Sequence, residues 1–338
     1  MRFGYWMPVF GGWLRNVEDE GMTSSWDYVR RLTQRSEATG WDLTLIAELN
    51  LNDIKGVEAP ALDAWSTAAA LAAVTETIEL MVAVRPNFHH PALFAKAAAN
   101  IDRISGGRLA LNVVSSWWAD EARQYGLQFD QHDDRYARTE EWLRVVDGLW
   151  TEERFSFAGQ FYRTEDAICA PKPAKRPTVY AGGESDKAKA MIVAQCDAYV
   201  MHGDPVEAIA PKIADMTARR EAAGGAPMHY GMAAYAIVRD SEAEAKRELD
   251  RITTVSDLPA GYANFDQWLS GTQLERELKI QEYSVSNRGL RPNLVGTPEQ
   301  LKERIAEYED AGLDLLLLQM SPQAEEMERF AVQVMGTA

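Results

Sequence analysis

Hydrophobic positions along the chain follow two alternating rhythms. Short apolar runs at residues 2–8, 42–48, 78–85, 109–115, 178–181, 198–201, 230–238 and 313–319 read as strands. Several are apolar on both faces, the pattern of a parallel sheet covered by helices. Longer stretches with apolar residues at helical spacing lie between them. Residues 25–39 carry Trp26, Val29 and Leu32 and stop at Gly40; 91–104 open on a proline; 134–150 offer Tyr136, Trp142, Val145, Val146 and Leu149. Thr297 and Pro298 supply an N-cap and a first helical position to a further helix. This alternation implies βαβ units, and about eight of them fit an α/β fold of the closed (β/α)8 TIM barrel type better than an open doubly wound sheet. No Gly-x-Gly-x-x-Gly follows the first strand, which disfavours a dinucleotide-binding domain.

Two segments depart from the rhythm. Residues 154–162 alternate with period two around Ala158 and Gly159, as a small hairpin would. Residues 253–293 are polar and poorly patterned, with 273–280 suited to a helix. A connection of this length between the seventh and eighth strands is usually a lid or binding loop. The expectation is one domain over 1–338 with a lid insertion at 253–293.

Composition narrows the classes. Of 338 residues, 46% are hydrophobic and 25% charged, enough for a sizeable core. A formal net charge of −16 argues against nucleic acid, which asks for a basic stripe, and against an anionic membrane surface. Cys169 and Cys196 show neither CxxC spacing nor a disulfide framework, so a reducing, cytoplasmic setting is expected. Residues 1–8 read as a strand rather than a signal peptide, and the aliphatic run 315–318 is far too short to span a bilayer.

Residues 101–117 carry the most information. Ile101 and Ile104 end a helix, Gly106 and Gly107 turn the chain, and an apolar strand follows that is interrupted by Asn112. A buried strand does not carry an amide unless the amide has a partner. The strand exits on Ser115, Ser116 and Trp117, a wall suited to a flat polar ring. This segment resembles the fourth strand of the bacterial luciferase-like superfamily of reduced-flavin monooxygenases, and the likeness runs from Phe3-Gly4-Tyr5-Trp6-Met7-Pro8 to the run 313–318. Within the superfamily the chain is most similar to the branch of alkanesulfonate monooxygenase, dimethylsulfone monooxygenase and pyrimidine oxygenase. The resemblance implies reduced FMN (FMNH2) delivered by a separate NAD(P)H:FMN reductase, dioxygen as co-substrate, a mobile lid, and a homodimer or homotetramer.

Barrel active sites lie at the carboxyl ends of the strands. The residues expected there include Trp13, Glu48, Arg85, His89, Asn112, Trp117, His202 and Tyr235, and they show neither a metal cluster nor a nucleophile elbow. Such a set suits an organic cofactor that carries the chemistry itself. The turn 182–186 is the best anion site, because its glycines let backbone N–H groups approach and Ser185 can donate at a helix start. An ordinary Ser-capped turn is the alternative. Arg135 offers a forked, permanently charged grip on phosphate, against the alternative of balancing Asp133 and Asp134. By resemblance, Gly183, Glu184, Ser185, Arg135 and Tyr136 hold the FMN phosphate. Asn112 and Glu121 contact the isoalloxazine or ribityl chain, and Glu48 and Leu49 are a further flavin-contacting pair.

The sulfonate branch carries Arg-x-His on the seventh strand, where Ala233 and Tyr235 stand here; Ala61 replaces its Cys after the second strand. A buried sulfonate would then be an unpaired anion, which is costly. A small neutral substrate is expected, first a sulfone or related organosulfur compound with C–S cleavage, then a heterocyclic, amide-like or halogenated one. Asn112, Tyr235 and His89 are the catalytic candidates. Trp13, Trp117 and Tyr235 face the substrate, and either Arg288 or Arg291 closes over phosphate or substrate. His89 and His90 point apart on an extended chain, so no metal is expected. A deazaflavin-dependent oxidoreductase and a flavin-storing homologue without turnover are the rival classes.

Overall fold

A computed structural model describes residues 1–254, 260–265 and 282–337, apart from the side chain of His132. The barrel begins with β1 (Arg2–Trp6), β2 (Leu43–Ile46), β3 (Glu79–Val84) and β4 (Leu109–Val113). An antiparallel hairpin outside it, β5 (Phe155–Ala158) and β6 (Arg163–Ala167), interrupts the sequence. The barrel resumes with β7 (Thr178–Ala181), β8 (Ala198–Met201) and β9 (His229–Tyr235). A small outer pair, β10 (Ile237–Val238) and β11 (Val295–Gly296), precedes the last barrel strand, β12 (Leu315–Gln319). All barrel pairings are parallel, in the closed order β1-β12-β9-β8-β7-β4-β3-β2. The helices packed around it include α1 (Trp26–Ala38), α2 (Ala64–Val74), α3 (Pro91–Ser105), α4 (Ala119–Gln124), α5 (His132–Thr151), α6 (Asp186–Gln195), α7 (Val206–Ala222) and α8 (Glu242–Thr253).

The expected (β/α)8 barrel is therefore the observed architecture, and the reason is visible in the strands. β2, β4 and β12 are buried at every position, as strands enclosed on both faces must be. Leu43, Leu45, Met81, Ala110, Tyr180, Ala198, Leu315 and Leu317 form a cluster made only of strand residues, the barrel interior. Alternate strand residues such as Leu80, Val82, Leu109 and Leu111 join the helices in a second, larger core. The interior is tight: a Cβ at Gly4 would lie 2.7 Å from Leu43 Cγ. Helix ends follow the sequence signals. Ser25 caps α1, Gly106 ends α3 in the left-handed region at φ 72°, and Thr297 with Gln300 makes a capping box.

Three expectations change in detail. The run 230–238 is not one strand: the Tyr235 N–H donates to the Gly289 carbonyl at 2.7 Å, β9 stops, and residues 237–238 pair with β11 instead. The hairpin's second strand is β6 rather than the end of 154–162, because the Glu141 carboxylate accepts the N–H groups of Gln160, Phe161 and Tyr162 and holds them in the turn. Of the insertion 253–293, residues 282–288 form short helical turns tied to the β1 loop by a Leu14–Val285 bridge. The helix expected at 273–280 lies outside the described residues. Among the described residues no helix is long and apolar enough to cross a membrane.

Leu317→Ala, at a fully buried interior position, is expected to cost about 2–5 kcal/mol. Leu93→Ala, at a side chain 74% exposed, is expected to stay within about 0.5 kcal/mol of wild type. Urea unfolding followed by circular dichroism measures both.

Candidate active site

A cavity of about 260 Å³ opens at the carboxyl ends of the barrel strands. Trp13, Glu48, Leu49, Asn112, Trp117, Arg135, Tyr136, Gly183, Glu184 and Ser185 all line it, as expected from the sequence. His89, Glu121, Tyr235, Arg288 and Arg291 do not, and each has a physical reason for standing elsewhere.

One end of the cavity brings the start of α6 together with Tyr136 and Arg135. β7 delivers Gly182 and Gly183 to the start of α6, whose N-cap Ser185 accepts the Ala188 N–H at 3.2 Å. The Ser-capped turn is thus present, and the remaining N–H groups of the first turn are not used within the helix. The Tyr136 hydroxyl is hydrogen-bonded to Ser185. Arg135, half-buried with its guanidinium 4.7 Å from the Phe129 ring centre, has its pKa lowered by burial. An arriving anion would relieve that cost. The Glu184 carboxylate turns away from this corner, accepting from Lys212 Nζ at 3.0 Å and from Arg288. Asp204 takes Lys212 at 3.0 Å and Arg291 at 3.2 Å. Arg288 and Arg291 are thus committed to a buried ion cluster behind the cavity wall, while their neighbours Ser286 and Asn287 reach the cavity.

The middle of the wall carries amide and hydroxyl groups. Asn112 is 8% exposed and its amide makes no hydrogen bond among the described residues, so the partner that a buried strand amide requires must come from the cavity. Ser116 next to it sits at φ 50° with a buried, unpartnered hydroxyl. Glu121 is fully buried and spent: it accepts both terminal nitrogens of Arg85 and the Asn50 N–H at 2.5 Å. It reaches the cavity only through Arg85, which lines it. Arg85 also lies over the Phe88 ring at 3.9 Å. His89 stands behind Glu48, with Nε2 2.5 Å from Glu48 Oε1.

The far end is aromatic. Trp6 and Phe10 each meet Trp13 edge to face at 6.3 Å, and Trp13 Nε1 donates to Gln323 at 2.8 Å. Arg15 and Asp53 also line this end, but they form a buried pair at 2.6 Å. Arg15 further donates to the carbonyls of Tyr283 at 3.0 Å and Gly261 at 2.6 Å and lies 4.0 Å from the Tyr283 ring centre. Ala233 lines the cavity where the sulfonate branch carries Arg. Tyr235 is 1% exposed and does not line the cavity, and burial raises its pKa, with Glu20, Glu248 and Glu326 adding to the effect.

Sequence reasoning placed Arg85 and His202 at strand ends without a role and did not single out Arg15, Asp53 or Tyr283. Nothing local marks the latter three, since their pairing joins loops far apart in the chain. His202 lines the cavity, and burial pushes its pKa down to about 4, helped by Arg288 and Lys212 and opposed by Glu184 and Asp204. It is neutral near pH 7. A histidine with its folded pKa depressed contributes stability above its ordinary value of 6.5 that is lost as pH falls toward 4. His202→Gln is therefore expected to flatten the fall in thermal midpoint between those two pH values relative to wild type, as scanning calorimetry at matched ionic strength would show.

Residues 1–315 match the family described as luciferase-like monooxygenase. A dimethylsulfone monooxygenase of Pseudomonas putida, named as FMNH2-dependent, is 35% identical over 99% of this chain and 94% of its own. One from Pseudomonas fluorescens (strain Pf0-1) is 33% identical over 99% of this chain and 93% of its own. Among solved structures, a long-chain alkane monooxygenase superposes with a TM-score of 0.83 at 18% identity, over 98% of this chain and 89% of its own. With the barrel and its cavity on the same rim, the match over nearly all of its length makes this chain a member of the luciferase-like monooxygenase family.

Proposed function

We propose that the protein is a flavin-dependent monooxygenase that uses reduced FMN and dioxygen to oxygenate a small neutral substrate, a sulfone or related organosulfur compound with C–S cleavage. The observation that carries this reading is a single cavity with an anion corner at one end and an aromatic, charge-compensated chamber at the other. The relatives named for dimethylsulfone support the choice of substrate class.

The residues present fit FMN. A Cβ at Gly182 would lie 2.7 Å from the Val200 carbonyl, and one at Gly183 2.5 Å from Ala188 Cβ and 3.2 Å from the Tyr136 hydroxyl, so both positions need glycine, and a side chain at the second would crowd the corner proposed for the phosphate. The unpartnered amide of Asn112 suits a ring edged with N–H and C=O groups. Bound there, reduced FMN supplies the activation of dioxygen and the transfer of one oxygen atom. The chain's own share is to compensate the phosphate with Arg135 and the N-terminus of α6, to orient the ring with Asn112, and to exclude water with Trp6, Phe10, Trp13 and Tyr283. For a sulfone the balance is sulfone, dioxygen and reduced FMN giving a sulfinic acid, an aldehyde, FMN and water. A separate NAD(P)H:FMN reductase supplies the electrons, in keeping with the lack of a dinucleotide fingerprint after β1.

Among the described residues, Arg15 is paired with Asp53 and Ala233 stands where a cation would be needed, so none of these offers a charge to a sulfonate. Anaerobic protein mixed with reduced FMN and then dioxygen is expected to form aldehyde with dimethylsulfone and none with methanesulfonate. No protein-dependent change in flavin oxidation, with preferential binding of a deazaflavin, would sink the assignment. Arg135→Ala is expected to weaken FMN binding about 10- to 100-fold, the worth of a charged hydrogen bond, and to leave riboflavin binding unchanged, measured by quenching of flavin fluorescence. Gly183→Val is expected to abolish binding of FMN with the circular dichroism spectrum preserved.

A further inference from the structure

We propose that Glu48 and His89 form a proton relay through the cavity wall, in which Glu48 exchanges a proton with the bound reactants and His89 is the positioning residue that reloads it. The inference rests on the monooxygenase reading above and adds a path for protons to it.

Glu48 leaves the end of β2 and lines the cavity with its side chain only 6% exposed. Its two oxygens have different partners. Oε2 accepts the Arg85 backbone N–H at 2.7 Å, while Oε1 lies 2.5 Å from His89 Nε2. The His89 side chain is 26% exposed yet contributes nothing to the cavity wall. One end of the pair thus meets the cavity and the other meets solvent elsewhere. The imidazole is held between the rings of Trp65 at 6.1 Å and Phe94 at 5.5 Å, and its carbonyl accepts Trp142 Nε1 at 2.9 Å. The nearby cation, Arg85, does not hold Glu48 in a tight pair: its Nε is 3.6 Å away, while its terminal nitrogens are bound to Glu121. Glu48 therefore has an imidazole partner on one oxygen and a backbone donor on the other.

In the step itself, the O–H bond of protonated Glu48 breaks as the proton passes to an oxygen or nitrogen atom in the cavity. The His89 Nε2–H proton then moves to Glu48 Oε1, and Nδ1 takes a proton from solvent. The return transfer reverses these moves. Over a cycle, substrate, dioxygen and reduced FMN give oxygenated substrate, FMN and water, and both hydrogens of the water come from the flavin. The relay lends one proton and recovers it, so no further reactant is needed.

Glutamine at position 89 can keep a hydrogen bond to Glu48 but cannot carry a proton, which separates relay from scaffold. Wild type, His89→Gln, His89→Ala and Glu48→Gln are compared for FMN affinity by fluorescence and for substrate-dependent oxygenation by stopped flow, with and without imidazole. The expected result is oxygenation lower by about 100-fold in all three variants, with FMN affinity within about two-fold of wild type in the two His89 variants. Imidazole restores His89→Ala and leaves His89→Gln unchanged. A His89→Gln enzyme at the wild-type rate, one that has lost FMN binding, or a His89→Ala enzyme deaf to imidazole overturns the relay while the monooxygenase reading stands. A wild-type protein without substrate-dependent oxygen uptake overturns that reading and the relay with it.

Discussion

Closure of the parallel sheet is the constraint on which the rest depends. A closed barrel pairs the backbone groups of every strand and leaves no edge. Because all eight strands run the same way, their carboxyl ends open on one rim. Trp6, Ile46, Val84, Val113, Ala181 and Met201 are the last residues of their strands, and the residues just beyond them form the cavity wall. The rim is also where the chain is free to be irregular, as Ser116 in the left-handed region shows. A rigid interior of Leu43, Leu45, Leu315 and Leu317 holds these ends in place, so side chains far apart in the chain meet with little freedom.

The second organising principle is compensation of buried charge. Arg15 with Asp53, Arg85 with Glu121, and Glu184 and Asp204 with Lys212, Arg288 and Arg291 are all ion pairs with little exposure. Taking such groups out of water is costly unless they are paired. Their mutual neutralisation leaves a cavity whose polarity is local: an anion corner at α6, amide and hydroxyl groups along β4, and an aromatic chamber opposite. The pairs also tie loops together. Arg15 joins the β1 loop to residues 53, 261 and 283, and the ion cluster behind Glu184 joins the anion corner to residues 282–291. The wall around the cavity is thus linked by charge pairs drawn from loops distant in the chain.

These two constraints bear on function from opposite sides. Closure decides which positions can face a ligand, and charge compensation decides what kind of ligand is tolerated. Ala233 has no charge to offer, and among the described residues Arg15, Arg288 and Arg291 are held by carboxylates. A small neutral molecule beside a phosphate-bearing ring is the occupant that such a wall accommodates at least electrostatic cost.

Much of this was legible in the sequence. Continuous apolar runs determine the barrel, because a strand buried on both faces has no polar alternation. Gly106, Thr297 and Ser185 determine helix ends through local backbone chemistry, and the turn 182–186 reaches the cavity wall as its position after a strand implies. Asn112 in an apolar strand pointed to the cavity because an amide there needs a partner. What depends on side-chain direction or on pairs distant in sequence was decided only by the tertiary structure. Tyr235 reads as a cavity residue by strand position, but its side chain is buried outside the cavity lining. Glu121 reads as a ligand-facing acid, but Arg85 claims it. Arg288 and Arg291 read as free cations, but Asp204, Glu184 and Glu282 already hold them. Hydrophobic period and turn chemistry act within a few residues, so the sequence by itself determines them. The partner of a buried charge is chosen by which loops the closed barrel brings together, and that is settled only in three dimensions.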